Sequence, residues 1–372
     1  MVQNGKSELM YILTSENKIY EMKTVKYIQS KIAFPLALLV LTLLGCERDL
    51  SDEVVFATFP TTAEIYTDAP VGLTDEFFIS FDPAVGANTE GFGTDDNEAF
   101  EGTSSIRIDV PSPSDPDGNF IGGIFRDRGE GRDLSGYDAL TFWAKGSLTG
   151  TVLVGFGTDF ITDTYPVSTT IQLTAGWRKY VIPIPDASKL TQERGMFLFS
   201  AGSFDALGND NPQDASSFND NIGYTFWMDN LKFEKLGTTD LTSAFILNGQ
   251  DIVIDNFAGY TQTIDGIGAT YNLANGQNVT VTAAPSYYDF SSSDTSVGTI
   301  TPAGDVSISS AGTVTFSATL ANEAANGSLT VNAAGAFVNA PDPTLPQADV
   351  ISLYSDFYTN VPGFNPGIFA AS

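Results

Sequence analysis

The segment DLSGYDALTFWAK, residues 133–145, decides the fold class of this chain. Two sets of side chains alternate along its second half, with Leu140, Phe142 and Ala144 on one side and Thr141, Trp143 and Lys145 on the other. Because the first set is apolar throughout, we expect it to face a core and the second set to face outward. The segment therefore predicts a turn followed by one strand of a half-buried β-sheet.

Short segments of the same kind recur on both sides of this strand. They include SSIRIDV at 104–110, TVLVGF at 151–156 and KYVIPI at 179–184, and they are separated by Gly, Asn, Asp and Pro. Helical periodicity is scarce, and the one plausible short helix lies around residues 185–191, where Asp186 could cap it. The pattern predicts an all-β protein built from sandwiches.

The composition excludes several kinds of chemistry. The 372 residues include 17 Lys and Arg, 45 Asp and Glu, one Cys and no His, which gives a formal net charge of -28. Without His there is no Ser-His-Asp or Cys-His pair, and a single Cys allows no intrachain disulfide. A chain this acidic repels phosphate backbones, so we expect no nucleic-acid partner.

The first 45 residues have the pattern of a lipoprotein signal peptide. Five Lys residues lie within positions 1–31, and the apolar run IAFPLALLVLTLLG at 32–45 ends on Cys46. This run is too short to span a bilayer, and LLGC resembles a bacterial lipobox in which Cys46 is acylated. A core helix with a chance cysteine is the alternative. Met22 would make a conventional start for the signal, and 46–58 would be an acidic surface-export tether.

The composition changes near residue 237. No Lys or Arg occurs in 236–372, whereas eleven Asp and Glu do, and short Ser-, Thr- and Val-rich strands predict a second sandwich over 238–338. This second sandwich is expected to be immunoglobulin-like. A Pro-rich linker opens the last segment, 339–372, which is expected to hold the start of a truncated further domain, or else a short tail.

Three segments carry a family resemblance. Residues 133–145, 176–185 and 224–234 resemble, in the same order, strands of jelly-roll carbohydrate-binding modules with a galactose-binding-like sandwich, which places this module at 59–237. Residues 294–331 resemble a bacterial immunoglobulin-like domain. With the lipobox, the whole resembles surface lipoproteins of Bacteroidota polysaccharide-utilisation loci, some of which are family 16 glycoside hydrolases acting on β-glucans such as laminarin.

The resemblance implies a protein of the outer membrane, exposed at the cell surface, that captures a polysaccharide such as the β-glucan laminarin without hydrolysing it. An outer-membrane glycan transporter complex is an implied partner. The Glu-x-Asp-x-x-Glu motif of family 16 hydrolases is absent from the sequence, so we expect no catalysis by this chain. Two alternatives stay open: an accessory N-terminal fragment of such a hydrolase, and an adhesion or structural lipoprotein.

Six residues are candidate sugar contacts. Sugar rings present apolar C–H faces that stack on aromatic planes, and a rim of hydroxyls that pairs with polar side chains. Trp143, Lys145 and Trp227 are the candidates on strands, and Phe160, Tyr165 and Arg126 are the candidates in or near loops. Core packing of either Trp is the alternative, and Arg126 is as easily explained by an ion pair with one of the many carboxylates.

The resemblance also implies a structural Ca²⁺. Four carboxylates fall within residues 95–101, directly before a predicted strand, and carboxylate oxygens are ligands that Ca²⁺ prefers. Glu98 and Glu101 from this loop, with Asp229 from the last strand of the module, form the implied ligand set. An exposed acidic loop without a metal is the alternative.

Overall fold

The computed structural model describes residues 59–74, 77–202, 223–336, 341–353 and 355–362. The predicted signal peptide, the alternative start at Met22, the lipidation at Cys46 and the acidic tether lie outside these residues and stay predictions. All described strands belong to one compact unit, Thr58–Ser372. Within the described ranges, every helix is too short or too polar to cross a membrane.

The described residues form short strands and isolated helical turns. The first eleven strands are β1 (Glu64–Tyr66), β2 (Phe78–Ser80), β3 (Phe92–Asp95), β4 (Ser105–Val110), β5 (Phe120–Arg126), β6 (Ala139–Gly146), β7 (Thr151–Phe156), β8 (Val167–Gln172), β9 (Arg178–Pro183), β10 (Gly195–Gly202) and β11 (Tyr224–Glu234). The others are β12 (Asp240–Phe245), β13 (Asp251–Ala258), β14 (Thr261–Thr263), β15 (Gly268–Asn272), β16 (Asn278–Ala283), β17 (Tyr288–Ser292), β18 (Gly298–Ile300), β19 (Asp305–Ile308), β20 (Gly312–Leu320), β21 (Glu323–Ala324) and β22 (Ser328–Ala336). Single 3-10 turns lie at Pro83–Val85, Ala187–Lys189, Leu247–Gly249, Pro285–Tyr287 and Gln347–Asp349.

The helix predicted around 185–191 is one of these turns. Asp186 caps it, because its side chain accepts a hydrogen bond from the Ser188 backbone N–H. The turn spans three residues, Ala187–Lys189, so the position and the cap are confirmed, whereas the element is shorter than predicted.

Four sheets account for these strands. Sheet A has the order β3-β4-β11-β6-β9, with β1 paired to β11, and sheet B has the order β12-β15-β16-β8-β7-β10-β5-β2. Two smaller sheets follow the orders β13-β22-β20-β17, with β21 paired to β20, and β14-β19-β18. The prediction of an all-β protein with a jelly-roll sandwich is confirmed.

Aromatic rings hold sheet A against sheet B. Phe142 on sheet A meets Phe197 on sheet B edge to face at 5.5 Å between ring centroids. Phe226 of sheet A and Phe199 of sheet B meet in the same way at 6.1 Å. Leu140, Phe142 and Ala144 are all fully buried, as their alternation predicts. The sheets therefore pack through these inner faces, and their outer faces lie on opposite sides of the sandwich.

A buried arginine fastens the first strand. Arg132 is 1% exposed, and its Nε donates to Asp127 Oδ2 at 3.0 Å. Its two terminal nitrogens donate to the carbonyls of Thr62, Glu64 and Val71. A buried guanidinium is tolerated only when its donors are satisfied, and here four acceptors surround it. Sequence reasoning did not identify this residue, because nothing near it in the chain indicates burial.

Sheet B runs across the predicted boundary at residue 237. Strand β16, from the second half of the chain, pairs with β8 at Thr282/Ser168 and at Ala283/Val167. The two predicted sandwiches therefore share one sheet through two residue pairs. The boundary itself, and the immunoglobulin-like character of 238–338, stay predictions. Within that range, β13 and β22 pair in parallel.

Candidate functional site

The strands of sheet A bring three of the predicted contacts together. Trp227 on β11 lies directly opposite Lys145 on β6, and Trp143 is two residues before Lys145 on the same outer face. The Lys145 Nζ lies 5.0 Å from the centroid of the Trp227 ring and 5.6 Å from that of Trp177. All three tryptophans of the chain therefore border one patch, the sheet A face, which also includes Lys145.

A loop of the chain itself covers much of the sheet A face. Phe100 stacks on Trp143 with 3.8 Å between centroids and 11° between planes. From the same loop, Glu98 accepts a hydrogen bond from the Lys145 Nζ at 2.5 Å. On the sheet A face, the Trp143 ring and the Lys145 ammonium group therefore already have partners within the chain. The Trp227 Nε1 also donates a hydrogen bond to Asp95, at 3.0 Å.

Asp229 binds the backbone of this loop. Its carboxylate is fully buried, and its Oδ2 accepts from the backbone N–H groups of Phe100 at 2.8 Å and Glu101 at 3.1 Å. Its Oδ1 accepts from the Asn230 N–H at 2.7 Å. Burial raises the pKa of Asp229, against the opposing effect of these backbone hydrogen bonds.

The implied calcium ligands are engaged with other partners in this arrangement. Glu98 pairs with Lys145, Glu101 accepts from the Asn230 side chain at 3.0 Å, and Asp229 receives N–H groups, whose positive ends repel a cation. Among the residues that the structure describes, no three acidic or thiol side chains are gathered as a metal site. These residues therefore do not fit a Ca²⁺ as they stand, and the metal stays a prediction.

The outer face of sheet B carries a second aromatic patch. The Phe81 ring packs against β5 at Gly122, where a Cβ would come within 2.9 Å of the ring. Phe81 meets the Phe160 ring at 5.6 Å and the Phe120 ring at 6.4 Å between centroids. We call Phe81, Phe120, Phe160 and the neighbouring Arg126 the sheet B face. Gly122 is required because a Cβ there would lie 2.6 Å from the Phe199 carbonyl oxygen as well as against the Phe81 ring.

A preorganised loop presents Phe160. Asp159 accepts hydrogen bonds from the Ile161 and Thr162 backbone N–H groups at 2.7 Å each, and the backbone of Phe160 adopts φ 61°. Phe160 is nonetheless 42% exposed and Ile161 62% exposed. Arg126 fixes the loop to the sheet, because its guanidinium donates to the Asp159 carbonyl at 3.1 Å. A large ring held outward in a strained conformation is typical of a ligand-contacting loop.

Tyr165, predicted with Phe160, lies elsewhere. Its ring packs 5.2 Å from the Tyr287 ring, and the Tyr287 hydroxyl donates to the Tyr165 carbonyl at 3.1 Å. Tyr165 therefore joins sheet B to the second half of the chain. The six predicted contacts divide among three places: Trp143, Lys145 and Trp227 on the sheet A face, Phe160 and Arg126 on the sheet B face, and Tyr165 at this junction.

Glu193 is a buried carboxylate that was missed by sequence reasoning. It is 7% exposed, and its Oε1 accepts from the backbone N–H groups of Arg194 and Gly195 at 2.8 and 2.7 Å. Burial, with smaller contributions from the nearby Asp159 and Asp163, raises the pKa of Glu193 to about 7. A buried carboxylate leaves no local signal among the many acids of this chain.

Part of the sequence matches a known protein family. The sequence model of Carbohydrate binding domain 30 matches residues 64–235, just under half of the chain. No curated protein matches the chain.

Solved structures with some likeness include two carbohydrate-binding modules from Clostridium thermocellum. One, of family 30 from a cellulosomal cellulase, is 14% identical with a TM-score of 0.28, covering 48% of this chain and 95% of that one. The other, of family 11 in complex with a β-1,3-1,4-mixed-linked tetrasaccharide, is 11% identical with a TM-score of 0.31, covering 47% and 96%.

A β-1,2-glucanase from Parabacteroides distasonis is 10% identical with a TM-score of 0.31 and covers 75% of this chain and 40% of that one. With such TM-scores these likenesses carry no argument on function, which rests on the family model. The matched segment contains both the sheet A face and the sheet B face. Its sequence match and its sandwich support a jelly-roll carbohydrate-binding module in residues 64–235.

Proposed function

We propose that this protein is a non-catalytic, cell-surface polysaccharide-binding lipoprotein that binds glycan on the sheet B face. The observation that carries the proposal is the match of residues 64–235 to a carbohydrate-binding family. A β-glucan such as laminarin is the proposed ligand class. A lipid on Cys46 is proposed to hold the protein in the outer membrane, where a glycan transporter would be its partner.

The chemistry of the sheet B face fits a sugar chain. Phe160 offers an exposed ring for the C–H face of a pyranose, and the half-buried Phe81 extends the apolar surface beside it. Arg126 uses one terminal nitrogen on the Asp159 carbonyl, and a guanidinium has five N–H donors. Among the described residues its other donors are unused, so they can meet sugar hydroxyls at the rim of the aromatic platform, which is the combination that sugar recognition requires.

The sheet A face is the less favourable of the two outer faces. Trp143 is covered by Phe100, and the Lys145 charge is neutralised by Glu98. A sugar could stack on Trp143 only after displacing Phe100, which would sacrifice an aromatic contact worth about 1 kcal/mol. On the sheet B face, a sugar could contact the exposed Phe160 ring without displacing another side chain.

Isothermal titration calorimetry with laminarin and mixed-linkage β-glucan tests the proposal on a matched pair of variants. Phe160→Ala removes the exposed ring of the sheet B face and should weaken binding at least tenfold, about 1.4 kcal/mol. Phe100→Ala removes a similarly exposed ring from the sheet A face and should leave affinity unchanged. The opposite pattern would move the site to sheet A, and no binding to any glycan would refute the function.

The lipid anchor has a separate test. Cys46→Ala removes the only thiol in the chain, so the full-length variant should lose acylation and leave the membrane fraction, while its glycan affinity stays that of the parent. Metabolic labelling with a fatty-acid probe measures the first effect. Labelling that persists in the variant would contradict the anchor.

A further inference from the structure

A cavity lies where sheet B passes from the first half of the chain to the second. Strands β8 and β16 pair only at Ser168/Thr282 and Val167/Ala283, although each strand is six residues long. Beyond these pairs the strands separate, and strand β9 from the edge of sheet A flanks the gap. The space between them is a cavity of about 830 Å³, which we call the junction cleft.

The lining of the junction cleft combines polar and apolar side chains and contains no acid. Its hydroxyl and amide side chains include Thr170, Gln172, Asn275, Gln277, Asn278 and Thr280. Neither Asp nor Glu lines it, although the chain has 45 of them against 17 Lys and Arg. The only charged residues in the lining are Arg178 and Lys179. In a chain of net charge -28, this cleft is therefore a local site whose lining carries positive charge and no carboxylate, with Glu234 beside it held in its pair with Lys179.

Arg178 is the group in the cleft that is poised to bind an anion. Its guanidinium carbon lies 5.7 Å from the Tyr180 ring centroid, and its NH2 donates to Gln277 Oε1 at 3.0 Å. Among the described residues, none of the ion pairs involves Arg178. Lys179, in contrast, is paired with Glu234 at 2.5 Å.

These contacts define the chemistry of a ligand. The ring of Tyr180 and the amide of Gln277 orient the guanidinium, and among the described residues they leave most of its donors unused. Such a planar fork matches a carboxylate or a sulfate. The surrounding amides and hydroxyls match sugar hydroxyls. The volume falls within the range of about 300–1,000 Å³ that is usual for small-molecule sites.

We propose that the junction cleft binds a short acidic oligosaccharide, with a carboxylate or sulfate of the sugar held by Arg178. That the ligand is a saccharide rests on the proposed function. The cleft is separate from the Phe160 ring, so the protein would have a second, charge-selective subsite beside its aromatic platform. Uronate and sulfate esters are the two sources of the negative group.

Calorimetry on the purified full chain tests the proposal with trigalacturonate, a sulfated galactotriose and the neutral galactotriose. Arg178→Gln should weaken binding of at least one acidic probe tenfold or more and leave the neutral probe unchanged. Arg107→Gln removes the same charge from an exposed pair with Asp109 on sheet A and should have no effect. Equal losses in both variants would indicate non-specific charge attraction and overturn the proposal.

A second variant separates ligand binding from folding. Thr170→Trp fills the cleft from an exposed lining position without changing charge and should abolish acidic-probe binding, with the melting temperature checked for both variants. If neither acidic probe binds, or if both variants bind as the parent does, the proposal fails. If Phe160→Ala abolishes acidic binding and Arg178→Gln does not, the cleft is refuted while the proposed function stands.

Discussion

The two outer faces of the sandwich contain similar residue types but differ in how their aromatic and charged side chains are covered by the chain's own loops. The sheet A face has all three tryptophans and a lysine near it, yet its own loop stacks Phe100 on Trp143 and pairs Glu98 with Lys145. The sheet B face has only phenylalanines and an arginine, but its loop holds Phe160 outward at 42% exposure. Phe100 is itself 36% exposed, so the faces differ less in exposed aromatic surface than in whether the loop ring covers a tryptophan beside a paired cation.

Releasing the loop that carries Phe100 from the sheet A face should cause the largest loss of stability among these predictions. Asp229→Ala removes the charged acceptor of three part-buried N–H groups, those of Phe100, Glu101 and Asn230, which should lower the free energy of unfolding by roughly 4 kcal/mol. Chemical denaturation measures the loss, and acrylamide quenching should show Trp143 newly exposed. Asp96→Ala, at an exposed position of the same loop, is the control and should change little. A stable variant with protected tryptophans would mean that the loop holds to the face without Asp229.

The stability of the folded chain should depend on pH through the buried Glu193. Glu193 has a pKa of about 7 in the folded chain against an ordinary value of 4.5, so between these values the folded state keeps a proton that the unfolded state loses. Stability should therefore fall as the pH rises from about 4.5 to 7, by up to about 3 kcal/mol. The pKa of Asp159 is lowered, so this residue changes the stability only at pH values below its ordinary pKa of 3.8, outside this window.

Denaturation across this pH range should show the slope in the parent and a flatter curve in Glu193→Gln. Glu90→Gln, at an exposed position, should retain the parental slope. A slope that is the same in both variants would assign the pH dependence to other groups.

Tryptophan fluorescence offers a direct comparison of the faces, with a smaller expected signal. Trp143, Trp177 and Trp227 are the only tryptophans, and all of them border the sheet A face. Glycan binding on the sheet B face should therefore leave the emission maximum unshifted at a concentration that calorimetry shows to be saturating. A shift on saturation would instead favour sheet A as the site.

Removing Ca²⁺ with EDTA should have the smallest effect, which is measured as a change in the melting temperature. Calcium at Glu98, Glu101 and Asp229 predicts a higher melting temperature with Ca²⁺ than with EDTA, since a ligand that binds only the folded state stabilises it. The N–H groups directed at Asp229 favour equal midpoints. Equal midpoints would remove the calcium prediction, whereas a clear shift would show that the loop rearranges around the ion.

Several features of the fold were predictable because their signals are local. The alternation along β6 correctly separates the buried Phe142 from the outward Trp143, since successive side chains of a strand point to opposite faces. Asp186 as the cap of a short helical turn was predictable for the same reason. The jelly-roll class was predicted from the resemblance of three segments, in order, to a known family of modules, whereas the strand pattern alone indicated only sandwiches.

The candidate site was only partly predictable. The sequence indicates that Trp143 points outward, but it does not show that Phe100 lies on it, because that contact joins a loop to a strand far along the chain. Nor does it show that Phe160 and Trp143 are on opposite sides of the sandwich. Arg132 and Glu193 have no local signal, because their burial depends on sheets assembled from distant segments.

The sequence alone determined the strand pattern, the inward and outward faces of β6 and the excess of negative charge, since these depend on residue type and on a repeat of two. Tertiary structure decided which outward aromatic stays open, where the acid-free junction cleft lies, and that Arg178 has no carboxylate partner among the described residues. The physical reason is that an outward side chain acquires its partner from whichever distant segment folds over it, and alternation carries no information about that segment.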